Sequence, residues 1–194
     1  MYNLYSYYIE KNFNPVPISL DSKKELKLHI AKRNNLLQNH LKIKLSDFNK
    51  KKILEFGCNS GENSLVLAKL GAHLTLVEPN KVMIPLIKQN FKKFKKKKYL
   101  KKISVTSLNK FKSKSKFDYV FAEGFLNTLN KRDKYLKKLL NFCSQNGSLI
   151  INYDDKVGSF VELFKSVIFI KVINQKKSSL ESEEAYKIAR KLFF

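Results

Sequence analysis

A short apolar run that leads through a glycine-containing turn into a helical pattern most constrains the fold of this chain. The run covers residues 53–56, the turn holds Gly57 and Gly61, and the helical pattern covers residues 63–70. An apolar run bounded by glycine is typical of a buried strand, and the helix after it carries the chain back across the sheet. A second apolar run at residues 73–77 then predicts a neighbouring parallel strand.

The same alternation of strands and helices continues along most of the chain. Further strands are predicted at residues 103–106, 117–122 and 148–153, further helices at 81–94 and 131–143, and a turn at 144–147. Such alternation is typical of α/β proteins, in which helices cover both faces of a mostly parallel sheet. We therefore predict a Rossmann-like, doubly wound fold.

A helical extension is predicted ahead of the first strand. Ser22 and Glu25 have the spacing of a capping box, and apolar residues at helical spacing continue to about residue 42. We expect residues 1–50 to form a helical extension or lid, and residues 51–194 to form the main domain.

The spacing of the glycines separates two classes of nucleotide-binding turn. The dinucleotide fingerprint G-x-G-x-x-G needs glycine at positions 57, 59 and 62, but this chain has Asn59 and Glu62 at the last two. The pattern present is Glu55-x-Gly57-x-Asn59-x-Gly61. Asparagine tolerates a positive φ better than most side chains, so the turn can keep its shape with Asn59.

This pattern, followed by Glu78 at the end of the second strand, resembles motif I of the class I S-adenosylmethionine-dependent methyltransferases. The resemblance covers about residues 51–154 and implies S-adenosylmethionine as the cofactor. It implies that Glu78 accepts hydrogen bonds from the ribose hydroxyls, and that Glu55 helps to hold the ammonium group. Ser107 stands where the family usually has an acidic residue near the adenine. The implied cofactor contacts are Glu55, Gly57, Cys58, Asn59, Gly61, Glu78, Pro79, Ser107, Leu108 and Glu123.

Candidates for catalysis follow the fourth and fifth predicted strands. They are Glu123, Asn127, Tyr153 and Asp154. Each of them alone is more often a turn or capping residue than a catalytic group. Methyl transfer depends mainly on alignment and on exclusion of water, so the sequence leaves the catalytic base, the methylated atom and the acceptor open.

Three functions fit the resemblance. The first is methylation of a small molecule, or of a sugar or surface-glycan precursor. The second is methylation of RNA, which the abundance of lysine favours. The third is a non-catalytic, cofactor-binding or partner-completed member of the fold. It is suggested by a C-terminal part that is short for the hairpin which family members add after strand five. An amphipathic pattern at residues 179–194 offers a surface for a second copy or another partner.

The charge of the chain argues only weakly for nucleic acid. The formal net charge is +23, but 36 of the 39 basic residues are lysines. Arginine, with its planar fork, is the residue that sequence-reading sites favour. The lysine content, together with many Asn, Ile and Phe residues, is typical of an AT-rich coding sequence. A small-molecule acceptor is therefore preferred to nucleic acid.

The remaining composition favours a cytoplasmic protein without a metal. The two cysteines, Cys58 and Cys143, are too few for a disulfide framework and lack zinc-ligand spacing. No apolar run reaches the roughly 18 residues of a membrane span, and the first residues do not resemble a secretory signal.

Overall fold

The computed structural model describes residues 20, 22–126, 129 and 131–152. The chain divides into two compact units, Met1–Asn152 and Tyr153–Phe194, and all described residues belong to the first. The predicted C-terminal features, the missing hairpin and the amphipathic pattern at residues 179–194, lie outside the described residues.

A five-stranded sheet forms the centre of the described part, in the order β3-β2-β1-β4-β5. All neighbouring strands are parallel. The strands are β1 (Lys52–Phe56), β2 (His73–Val77), β3 (Leu100–Ser104), β4 (Phe117–Ala122) and β5 (Cys143–Ile151). The strand order reverses between β1 and β4, so the crevice for a ligand lies beyond the carboxyl ends of these two strands. The predicted Rossmann-like fold is confirmed.

In the described part of the chain, four α-helices accompany the sheet: α1 (Lys23–Asn35), α2 (Glu62–Lys69), α3 (Met83–Lys93) and α4 (Arg132–Leu140). The predicted cap of α1 is present, because the Ser22 hydroxyl accepts a hydrogen bond from the Glu25 N–H at 3.2 Å. The helix ends earlier than predicted, since a single π-helical turn, Leu36–His40, replaces its last residues.

The three inner strands, β1, β2 and β4, are mostly buried, as expected for a parallel sheet between helices. Ile53 and Phe121 belong to a core shared with α2 and α3, whereas Leu54 and Val120 belong to a core shared with α4. Leu37 and Phe48, which precede β1, are fully buried in the first of these cores. The extension before β1 is therefore packed against the sheet.

Two strand boundaries differ from the prediction. β5 begins at Cys143 and contains the predicted turn as an irregularity, because Phe117 pairs with Cys143 but Tyr119 pairs with Ser148. A side chain at Gly147 would place its Cβ 2.7 Å from the Phe117 carbonyl oxygen, so this segment needs glycine. β3 lies at the edge of the sheet and carries exposed lysines, which is why its apolar pattern is too weak to position it from sequence.

Among the described residues, no helix combines the length and the apolar character that a membrane crossing requires.

Candidate functional site

The turn after β1 is left-handed at every second residue. The φ angles of Gly57, Asn59 and Gly61 are +68°, +48° and +87°. Asn59 thus adopts the conformation expected of it in place of glycine. The Gly57 N–H donates to the Val77 carbonyl at 2.9 Å, which holds the turn against the end of β2.

Glu78 is fixed between the turn and the end of β2. Its side chain is buried, with 2% exposed, and it accepts hydrogen bonds from two backbone groups. The Asn59 N–H donates to Oε2 and the Asn80 N–H to Oε1, both at 2.9 Å. Since a carboxylate has about four acceptor positions, further lone pairs remain for a ligand. Burial raises the pKa of Glu78 to about 7, although the two N–H donors act in the opposite direction.

Glu55 lies one residue before the end of β1 and is also buried. The Ser64 hydroxyl, on α2, donates to its Oε2 at 2.6 Å. Burial raises the pKa of Glu55 to about 7, and the hydrogen bond from Ser64 and the charge of Arg33 partly oppose this shift. Two buried carboxylates with raised pKa values therefore flank the glycine turn.

Arg33 is a site residue that the sequence analysis missed. Its guanidinium donates from Nη1 to Oε1 of Glu123 at 3.0 Å and from Nη2 to Oε2 at 2.5 Å. Arg33 is 6% exposed and Glu123 22%. The guanidinium also lies 5.5 Å from the ring centroid of Phe121. This bidentate pair joins α1 to the end of β4 across 90 residues of sequence. The rarity of arginine could have drawn attention to Arg33, because it is one of only three arginines among 39 basic residues.

Polar atoms on the inner side of α1 lack partners within the described part of the chain. They are His29 Nε2, Arg33 Nε and Asn34 Oδ1, and all three are buried. His29 is half-buried beside Glu62 and Asn63. Burial and the Arg33 charge lower the pKa of His29, which therefore favours its neutral form. His40, in the π-helical turn after α1, is exposed.

Cys58 is buried within the turn, and its surroundings disfavour the thiolate form. Burial raises the pKa of the thiol well above its usual value, and the charges of Glu55 and Glu78 raise it further. The thiolate is the nucleophilic form of cysteine, so Cys58 acts here as a small packing residue.

The carboxylates make the site locally acidic. Glu55, Glu62, Glu78 and Glu123 lie around the turn and the ends of β1, β2 and β4, and Arg33 is the cation paired among them. Burial raises the pKa of Glu62, whose Oε1 accepts a hydrogen bond from the Ser60 hydroxyl. In a chain with a formal net charge of +23, such a cluster favours a cationic ligand at this position.

A cavity of about 190 Å³ adjoins the glycine turn on the side of β3. Gly57, Ser107, Leu108, Asn109 and Phe125 are among its lining residues. A Cβ on Gly57 would lie 3.2 Å from the Phe125 ring, so the loop after β4 packs closely on the turn. Ser107 and Leu108 are thus placed next to the turn, on the side where adenine contacts are predicted.

The other predicted site residues divide into two groups. Pro79 is partly buried between Glu78 and Asn80. Asn127, Tyr153 and Asp154 lie outside the described residues. Within the described ranges, no three His, Cys, Asp or Glu side chains come together as ligands for a metal ion.

The reversed strand order, the left-handed turn and the carboxylates at the ends of β1 and β2 define a class I S-adenosylmethionine-dependent methyltransferase fold. A family profile described as a methyltransferase domain matches residues 29–189, and the chain belongs to this family. No curated protein matches the sequence.

Solved structures with a similar fold include several methyltransferases. Magnesium protoporphyrin IX methyltransferase from Synechocystis PCC 6803, with bound SAH, has a TM-score of 0.60 at 14% identity, over 85% of this chain and 77% of that one. The N-methyltransferase NodS from Bradyrhizobium japonicum WM9, in complex with S-adenosyl-L-homocysteine, has a TM-score of 0.55 at 19% identity. The alignment covers 77% of this chain and 72% of that one.

A third structure, coclaurine N-methyltransferase bound to N-methylheliamine and SAH, has a TM-score of 0.54 at 16% identity and aligns with 72% of this chain. This chain spans only 38% of the length of that enzyme. At these identities the likeness concerns the fold.

Proposed function

We propose that this protein is an S-adenosylmethionine-dependent methyltransferase that acts on a small molecule, or on a sugar or surface-glycan precursor. The observation that carries the proposal is the position of Glu78, which the Asn59 and Asn80 N–H groups hold at the end of β2 beside a left-handed turn. A carboxylate held in this way is suited to accept two hydrogen bonds from the hydroxyls of one ribose.

The residues present fit the cofactor in charge and in shape. Glu78 would bind the ribose, and the cavity beside Ser107 and Leu108 would take the adenine. The backbone of the turn would lie along the methionine part, with Glu55 near its ammonium group. The acidic surroundings suit a sulfonium ion, which supplies an activated methyl group when it is bound.

The protein's own contribution to the reaction is to position the acceptor. Glu123 directly follows β4 next to the crevice, and two hydrogen bonds from the Arg33 guanidinium fix its orientation. A fixed carboxylate at this place can hold an acceptor group in line with the methyl group or accept a proton from it. Asn127, Tyr153 and Asp154 remain candidates for the same task.

A small-molecule acceptor is supported by the names of structural neighbours, since coclaurine and magnesium protoporphyrin IX are small molecules. RNA is the second candidate, and the positive charge of the surface favours it. A non-catalytic, partner-completed protein is the third. We expect the protein to act in the cytoplasm.

Calorimetric titration with S-adenosylmethionine, S-adenosylhomocysteine and NAD tests the cofactor. We expect the first two to bind and NAD not to bind. Glu78→Ala should weaken binding tenfold or more, because the ribose loses a charged acceptor. Glu25→Ala, at an exposed carboxylate on α1, is the matched control and should leave affinity unchanged. Absence of binding by both methionine-derived ligands would refute the proposed function.

Transfer of a labelled methyl group tests the acceptor. Pools of small amines, hydroxylated small molecules, nucleotide sugars and total RNA are compared as acceptors. Label in a small-molecule or sugar pool supports the first candidate, and label in RNA alone supports the second. Cofactor binding without transfer to any pool would favour the third.

A further inference from the structure

A basic groove lies at the end of the sheet opposite to Glu78. It has a volume of about 310 Å³, and Lys52, His73, Thr75, Lys101, Lys102 and Ser115 are among its lining residues. Lys52 and His73 are the first residues of β1 and β2, whereas Glu78 follows the last residue of β2. The groove is therefore separate from the site proposed for methyl transfer.

An irregularity in β3 brings two consecutive lysines into this groove. Leu74 pairs with Leu100, but the next residue, Thr75, pairs with Lys102, so Lys101 is an extra residue in β3. In a regular strand, neighbouring side chains point to opposite faces of the sheet. Here both Lys101 and Lys102 line the same groove. Bulges re-aim side chains in this way, and they recur at functional positions.

The groove is open because no described helix covers this part of the sheet. Within the described chain, residues 105–116 connect β3 to β4 without a helix. The β1–β2 and β2–β3 connections contain α2 and α3, and both helices pack in the core that contains Ile53 and Phe121. As a result, Lys52, Lys101 and Lys102 are all exposed.

No acidic side chain is among the residues that line the groove. The nearby carboxylate of Asp118 accepts a hydrogen bond from the Lys52 backbone N–H at 2.8 Å and lies 3.7 Å from Nζ of Lys51. Asp118 therefore interacts with a backbone N–H and with Lys51, which is not among the residues that line the groove. Hydroxyl groups of Thr75 and Ser115 add hydrogen-bonding capacity to the three ammonium groups.

We propose that this groove binds the phosphodiester backbone of a nucleic acid. Lys52 on β1 and Lys102 on β3 are two strand spacings apart and offset by two residues, since they pair with His73 and Thr75 of β2. Their backbones are therefore about 12 Å apart, which suits a ligand that carries several phosphates. Lysine acts as a point charge towards phosphate, so binding would depend on the backbone and not on base sequence. This inference does not depend on the proposed methyl transfer.

Fluorescence anisotropy with a labelled 20-nucleotide oligouridine RNA, and with DNA of the same length, tests the proposal between 50 and 300 mM salt. The variant is Lys52→Ser, Lys101→Ser and Lys102→Ser combined. The matched control is Lys23→Ser, Lys24→Ser and Lys27→Ser, which removes three exposed lysines from α1. The groove variant should bind at least tenfold more weakly. The slope of its log K against log salt should be shallower by about 2, because each of the three lost phosphate contacts contributes roughly 0.7. The control should stay within twofold of wild type.

Equal losses in both triple variants would overturn the proposal, because they would show attraction by diffuse charge. Unchanged binding in the groove variant would also overturn it, as would displacement of the RNA by equimolar inorganic pyrophosphate. The affinity for S-adenosylhomocysteine and the thermal midpoint are measured on every variant. If the triple variant does not fold, Lys101→Ser with Lys102→Ser on the exposed edge strand replaces it, with an expected change in slope of about 1.4.

Discussion

Lowering the pH from 8 to 6 should weaken the binding of a nucleoside, because Glu78 becomes protonated. The pKa of Glu78 is about 7, because burial disfavours its charged form. The ionised fraction then falls from about nine-tenths at pH 8 to about one-tenth at pH 6. If the ribose hydroxyls bind the ionised form, affinity falls about tenfold, which is about 1.4 kcal/mol. A ligand that also needs ionised Glu55, whose pKa is again about 7, should lose up to about a hundredfold.

Calorimetric titration with two ligands separates these contributions. Methylthioadenosine carries the ribose and adenine but no amino acid, and it does not titrate between pH 6 and 8. It should show the tenfold fall, whereas S-adenosylhomocysteine, with its ammonium group, should show the larger one. Glu78→Gln removes the charge and should make methylthioadenosine binding weak and independent of pH. Glu55→Gln is the matched control and should keep the tenfold fall for this ligand.

A constant affinity of wild type for methylthioadenosine from pH 6 to 8 would refute the reasoning. The same conclusion would follow if Glu78→Gln kept the pH dependence of wild type. In either case, the ionisation of Glu78 would not be the event that controls ribose binding.

Three further predictions concern stability and the turn. Arg33→Ala should lower the free energy of unfolding by about 2–3 kcal/mol in urea denaturation, somewhat less than for a fully buried pair because Glu123 is 22% exposed; a loss below about 0.5 kcal/mol would contradict the buried pair. Asn59→Gly should leave S-adenosylhomocysteine affinity within threefold, whereas Asn59→Val should weaken it, because a β-branched residue is strained at a φ of +48°; equal affinities in the two variants would show that the backbone of the turn is not required. The raised folded pKa of Glu55 stabilises the fold at low pH, and this contribution is lost as the pH rises from about 4.5 to 7. Between pH 5.5 and 7.5, urea denaturation should therefore show wild type losing about 2 kcal/mol more stability than Glu55→Gln loses. Equal losses in the two proteins would show that ionising Glu55 does not destabilise the fold.

The features that the sequence predicted well depend on neighbours along the chain. β1, the glycine turn, α2 and β2 lie within 26 residues, Lys52–Val77, and their apolar periodicity and glycine spacing specify them locally. Glu78 could be placed for the same reason, since a residue directly after a buried strand must lie at the end of the sheet.

The features that escaped prediction depend on contacts between distant segments. The pairing of Arg33 with Glu123 spans 90 residues, and a single sequence does not show which acid an arginine meets. The bulge at Lys101 arises from the register of β3 on β2, and the irregular start of β5 from its register on β4. Neither register leaves a periodic signal, because β3 is half exposed and residues 144–147 resemble an ordinary turn.

The four glutamates around the glycine turn also bear on turnover in the proposed reaction. Transfer of the methyl group converts a sulfonium ion into a neutral thioether, so the spent cofactor carries one positive charge fewer than the donor. The attraction between the carboxylates and the sulfonium charge is lost once the reaction has occurred, and only the attraction to the ammonium group remains. Buried carboxylates at this position would thus favour exchange of product for fresh donor and relieve product inhibition, while the basic outer surface contributes little to the exchange.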